Sequence, residues 1–135
     1  MCEDNNINTS DCSCLNELFT NIIKLQKKET KCCEETGCDR PFLGPVNTLI
    51  CYNTRPINLY NCQTGDLWSI DYTFNGTTGE STVFRCESID DCCLTCRILI
   101  DNGDSTYTAT NQFFTINLNC VSAVRCLPDV YLNIC

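Results

Sequence analysis

Apolar residues recur at spacings of three and four through Leu15, Leu18, Phe19, Ile22 and Ile23, which lays one apolar stripe along a helix. The stripe predicts a helix over about 11–29, capped by Asp11 or Ser13. Lys24, Lys27 and Lys28 gather in its last turns, where cations meet the negative end of the helix dipole. It is the one helix the pattern supports. Beyond Pro41 the period drops to two, and turn residues return roughly every 8–12 positions. Strands are expected near 47–53, 56–60, 66–74, 81–87, 93–101, 104–110 and 113–120. Asp101-Asn102-Gly103-Asp104 reads as a hairpin turn, since Asn-Gly readily takes positive φ. Asn75-Gly76-Thr77-Thr78-Gly79 reads as a looser one.

This pattern predicts a mainly β protein: a β-sandwich or jelly-roll-like domain of about seven short antiparallel strands, preceded by one N-terminal amphipathic helix. Residues 1–10 read as a polar tail carrying Cys2, 11–40 as the helix with a cysteine-rich loop, and 41–135 as the β domain.

Alternation along the expected strands sorts the cysteines by face. Phe84 and Cys86 face one way, against Val83, Arg85 and Glu87. Cys92, Leu94, Cys96, Ile98 and Ile100 share a face opposite Cys93, Thr95 and Arg97. Phe114, Ile116, Leu118 and Cys120 align. Cys86, Cys92, Cys96 and Cys120 are therefore expected in the core, as thiols or internal bridges. Cys2, Cys12, Cys14, Cys32, Cys33, Cys38, Cys93 and Cys135 are expected on tails, loops or an outward face, where they can reach a neighbouring subunit.

The cysteine content changes the picture most. Fifteen of the 135 residues are cysteine, above the roughly 8–10% that marks a disulfide scaffold in a short secreted chain. A chain this long can bury a core without crosslinks, so the thiols serve something other than a missing core. Their number is odd, which leaves one sulfur free or bonded to another molecule. Cys32-Cys33 and Cys92-Cys93 are vicinal, and neighbours seldom bridge each other because the ring they close is strained. Each pair more naturally reaches two partners, as a network requires.

The formal net charge of −8 argues against nucleic acid or an anionic membrane as partner. The apolar runs, such as Ile98 to Ile100, fall far short of the ~20 residues that span a bilayer. Met1-Cys2-Glu3-Asp4-Asn5-Asn6 is the reverse of a basic, then apolar, export signal. The expectation is synthesis in a reducing cytosol without a signal peptide, and oxidation later.

Histidine is absent, which removes the usual general base, the Cys–His and Ser–His dyads and the commonest metal ligand. Asp90-Asp91 and Glu34-Glu35 read as solvated turns, so no catalytic residues, cofactor or metal are expected. The rival reading is a cysteine-thiolate metal-binding or redox module. Cys12, Cys14, Cys32 and Cys33, or Cys86, Cys93 and Cys96, would supply the thiolates. Against it, the paired Cys-x-x-Cys framework is missing, and Cys93 and Cys96 face opposite ways on a strand. A thioredoxin-like motif at Cys93 needs a helix start where the pattern reads β. Asp101-Asn102-Gly103-Asp104 lacks the distal glutamate of a calcium loop. Asn8-Thr9-Ser10 and Asn75-Gly76-Thr77 match the glycosylation sequon and read as coincidence.

Gly37-Cys38-Asp39-Arg40-Pro41-Phe42-Leu43-Gly44, Asn47-Thr48, Asn53-Thr54-Arg55-Pro56 and Leu59-Tyr60 occur in that order. Phe84-Arg85-Cys86-Glu87-Ser88-Ile89-Asp90-Asp91-Cys92-Cys93 and Arg97-Ile98-Leu99 follow. Ile116-Asn117-Leu118-Asn119-Cys120 and Ala123-Val124-Arg125-Cys126-Leu127 come last. Together they resemble the bacterial spore coat and exosporium proteins of the CotY/CotZ and ExsY type, from about Gly37 to Leu132. Val121 and Ser122 depart from the Cys-x-Cys of that family's ending, and Cys135 is not one of its features. The resemblance implies a structural protein that self-assembles into an ordered, disulfide-stabilised lattice on the spore surface. A disulfide-linked fibre is the variant within the same class. It also implies synthesis in the mother-cell cytoplasm, a homo-oligomer, and other coat or exosporium proteins as partners.

Overall fold

The computed structural model describes residues 12–29 and 52–134. The protein is mainly β: seven strands in two antiparallel sheets, with one N-terminal helix, as the periodicities lead one to expect. Helix α1 spans Ser13–Glu29. Its first backbone bond runs from the Asn16 amide to the Cys12 carbonyl, so Cys12 holds the capping position and Ser13 is already helical. Phe19, Ile22 and Ile23 are buried and Lys24 and Lys27 exposed, the amphipathic split the spacing dictates.

Strands β1 (Ile57–Asn61), β4 (Val83–Asp90), β5 (Cys93–Asp101), β6 (Tyr107–Asn117) and β7 (Val121–Cys126) form one sheet in the order β6-β5-β4-β1-β7. Strands β2 (Ile70–Phe74) and β3 (Thr77–Ser81) form a separate hairpin. One face of the large sheet presents Ile57, Leu59, Phe84, Leu94, Ile98 and Ile116 to Phe19 and Ile22 of α1, with Trp68, Ile70 and Tyr72 packed against the same cluster. Phe84 and Phe114 meet edge to face at 4.7 Å. Among the described residues, no helix is long and apolar enough to cross a membrane.

Several strand boundaries differ from expectation, and β2 begins at Ile70 instead of near 66. Residues 47–51 lie outside the described part of the chain, and Tyr52 and Asn53 are irregular. Asn75 and Gly76 both take positive φ, 54° and 79°, which closes a two-residue turn. The Thr77–Gly79 stretch expected in a loose turn is therefore the start of β3. The two strands expected at 104–110 and 113–120 are one strand, β6. Its irregularity opposite Ile98 is absorbed because the Thr110 hydroxyl donates to the Ile98 carbonyl and accepts the Gln112 amide. Strand β7 lies beyond the expected strands; a bulge between Tyr60 and Asn61 leaves Ser122 without a register partner and breaks the alternation. The turn at Asn102-Gly103 is longer than a tight hairpin, with the Asn102 amide reaching the Thr106 carbonyl.

Candidate functional site

The other face of the sheet carries Val83 and Leu99, covered by Leu132 of the C-terminal segment. Asn53, Thr54, Arg55 and Pro56 hold that segment in place. The Asn53 side chain is fully buried. Its amide donates to the Leu132 carbonyl and its oxygen accepts the Leu132 amide, both at 2.9 Å. Thr54 bridges to Val130 by backbone bonds in both directions. The Arg55 guanidinium grips both oxygens of Asp129, at 2.7 and 3.0 Å, and its hydrogen bond holds that carboxyl below the usual range. The Pro56 carbonyl accepts the Leu127 amide. This run clasps the C-terminal segment to the sheet.

A charged cluster supports the clasp from inside. Arg85, only 5% exposed, donates to the Thr54 hydroxyl and the Asn53 carbonyl. Its remaining nitrogen meets Glu87, which also takes Arg97. Arg97 in turn lies over the Phe113 ring at 4.6 Å. On the opposite face, the buried Gln26 donates to the Cys86 carbonyl and accepts the Arg55 amide, which ties α1 to β4 and to the clasp.

The sulfurs occupy three settings. Cys86 and Cys96 are register partners on β4 and β5, both at 0% exposure and both free thiols. Burial pushes both thiols up, and nearby sulfur, Cys126 for one and Cys86 for the other, adds to it. Cys12 and Cys92 form a disulfide with Cα atoms 5.8 Å apart, which locks the start of α1 to the turn between β4 and β5. Asn16 reinforces that contact by donating to the Asp91 carbonyl at 2.6 Å. Cys62, Cys93, Cys120 and Cys126 are free and exposed.

Two positions thus differ from expectation. Cys12, assigned to the outward set, is buried and bonded within the chain, because the helix begins where the β4–β5 turn passes beneath it. Cys14, in the same set, is exposed as expected and is disulfide-bonded. Cys120, assigned to the core, is exposed. Strand β6 ends at Asn117, and a 3-10 turn over Leu118–Cys120 rotates Cys120 off the face that Leu118 buries. Cys2, Cys32, Cys33, Cys38 and Cys135 lie outside the described residues, as does Cys51.

Of the two rival thiolate sites, Cys32 and Cys33 of the first lie outside the described residues, and the second does not assemble. Cys93 is exposed while Cys86 and Cys96 are buried, and Cys93 starts a strand where a redox motif needs a helix. Among the described residues, one group brings three ligand atoms within 4.8 Å, namely Cys12, Asp91 and Cys92. Two of those are sulfurs bonded to each other, and neither is a thiolate.

A family model described as spore coat protein Z matches residues 2–109. The match takes in α1, the clasp run and the strands through the first residues of β6, and stops before the Ile116–Leu127 run. No curated protein and no solved structure matches the chain.

Proposed function

The chain belongs to the spore coat protein Z family, and from that premise we propose that it is a structural subunit of the spore's outer layer, coat or exosporium, which packs into an ordered lattice that disulfides then seal. The family match is the observation that carries this reading. The geometry supports it. The subunit buries its own core and holds an internal bridge, while free thiols stand on its surface. Cys93 and Cys126, with Cys2, Cys32, Cys33, Cys38 and Cys135, are the sulfurs proposed to reach neighbours. The role is structural, with copies of this chain and other coat proteins as partners. Synthesis in the mother-cell cytoplasm keeps the thiols reduced until the subunit is in place.

Electron microscopy of the purified protein beside reducing and non-reducing electrophoresis tests this. Ordered sheets that survive hot detergent and yield monomers on reduction are expected. Fibres with the same chemistry favour the appendage variant. Dispersed monomers after oxidation count against the reading.

A further inference from the structure

One rung of the large sheet sets a cysteine against another, and a second cysteine pair lies one step past the ends of β1 and β7. Cys86 and Cys96 make the buried rung. On β1 and β7 the last paired rung is Asn61 with Val121, and the next residues outward are Cys62 and Cys120. The Cys62 amide donates to the Cys120 carbonyl at 3.0 Å, so the two backbones stay side by side one step past the strand ends. Opposed residues of an antiparallel pair have Cα atoms about 4.5–5.5 Å apart, with side chains on one face. That lies inside the roughly 4.4–6.8 Å range of a disulfide. Both residues sit in turns that can adjust. Cys62 opens the turn in which Asn61 accepts the Gln63 amide, and Cys120 closes the 3-10 turn before β7.

We propose that Cys62 and Cys120 close an intrachain disulfide when the folded protein meets an oxidant, while the Cys86–Cys96 rung remains two thiols. This rests on the reading that oxidation follows folding and assembly. The chemistry needs a low-molecular-weight disulfide such as oxidised glutathione. One thiolate attacks it, expels one small thiol and forms a mixed disulfide. The second thiolate attacks the protein-side sulfur, the Cys62–Cys120 bond forms, and the second small thiol leaves. The protein gives up two protons and two electrons, and the small disulfide takes them. The buried rung fails at the first step, since both sulfurs have no exposure and burial holds them protonated.

The bond fastens edge strand β7 to β1. It also withdraws two of the four exposed thiols from the set offered to neighbours, leaving Cys93 and Cys126 among the described residues.

Equal parts of unlabelled and heavy-isotope-labelled reduced protein, mixed, oxidised with glutathione disulfide, alkylated and digested, give the test by mass spectrometry. The Cys62–Cys120 peptide pair is expected only in all-light and all-heavy forms, with Cys86 and Cys96 alkylated only after denaturant is added. In the Cys62→Ser variant, Cys120 is expected as a glutathione adduct in the monomer. Mixed-isotope Cys62–Cys120 peptides, both residues recovered as alkylated thiols after full oxidation, or a Cys86–Cys96 bond formed as fast overturn the proposal. Mixed-isotope peptides from Cys93, Cys126, Cys2, Cys32, Cys33, Cys38 or Cys135 report separately on bonds between subunits. Their absence counts against the covalent lattice and leaves the Cys62–Cys120 bond standing.

Discussion

Arg85 and Arg97 stand directly opposite each other on β4 and β5, and one carboxylate oxygen of Glu87 lies 2.6 Å from the first and 3.0 Å from the second. Like charges facing across a ladder destabilise it, so Glu87 is what permits this rung. Glu87→Gln leaves two cations opposed, one of them nearly buried. The expected loss is about 2–3 kcal/mol, below the full cost of breaking a buried pair because the carboxylate stays partly exposed. Denaturant unfolding reads it. An unchanged midpoint sinks the argument. Arg97→Met is expected to cost less, since Glu87 keeps Arg85.

Asn53 makes the clasp a matter of two buried hydrogen bonds at one side chain. Asn53→Ala is expected to cost about 2–3 kcal/mol, because it leaves the Leu132 amide and carbonyl without partners. Hydrogen exchange at 130–134 should rise well before the sheet opens. Uniform exchange across the molecule would place the effect on global stability instead of the clasp. Acid should loosen the same segment. Arg55 depresses the Asp129 carboxyl, so its contribution is present above the ordinary value of 3.8 and is lost as pH falls through the lower, folded value.

How much of this was legible beforehand depends on the range of the interaction. The α1 stripe, the strands β4 and β5 and the faces of Cys86, Cys93 and Cys96 follow from periodicity, which is local. The bond of Cys12 to Cys92 joins residues 80 apart in sequence, and no spacing rule reports that pairing. Cys120 was misplaced because alternation was carried across the end of β6, where a 3-10 turn replaces the pleat. Gln26 carried no signal at all. It sits on a helix of ordinary polar character, and only the packed structure shows its amide bridging Cys86 and Arg55. The Asn53-Thr54-Arg55-Pro56 run was visible as a motif, but its work is done on a segment more than seventy residues away.

The Cys12–Cys92 bridge closes α1 and strands β1 to β4 into one loop. Cys12→Ser is expected to lower stability by about 2–4 kcal/mol under oxidising conditions. The same change should have little effect when both proteins are measured in reductant. Equal losses in both conditions would mean that packing at Cys12, and not the bond, carries the stabilisation.

Cys86 and Cys96 should give the subunit an alkaline limit. Their thiols titrate higher in the fold than the ordinary value of 9.0. A raised acid holds its proton in the native state while the unfolded chain releases it. Stability is therefore full below about pH 9 and falls as pH climbs from there toward the folded values. The double variant Cys86→Ala, Cys96→Ala should lose this slope while paying a cavity cost at every pH. An unfolding series from neutral to alkaline pH separates the two effects, and equal slopes for both proteins reject the assignment.

The last prediction concerns the order of assembly and oxidation. An array sealed at random by surface thiols has no reason to be regular, so shape must place the subunits before any bond between them forms. The surface sulfurs are then fasteners and not guides. Changing Cys93 and Cys126 to serine, together with Cys2, Cys32, Cys33, Cys38 and Cys135, should leave ordered particles in electron micrographs. Those particles should fall to monomers in hot detergent without reductant, whereas the parent needs reductant. Cys86→Ser should act differently: a hydroxyl in an apolar site lowers subunit stability and yield but leaves the bonds between subunits intact. If the surface variant forms no ordered particles although its subunit folds, the bonds direct assembly. If it remains crosslinked, the fasteners are among the sulfurs it keeps, with the exposed Cys62 and Cys120 first.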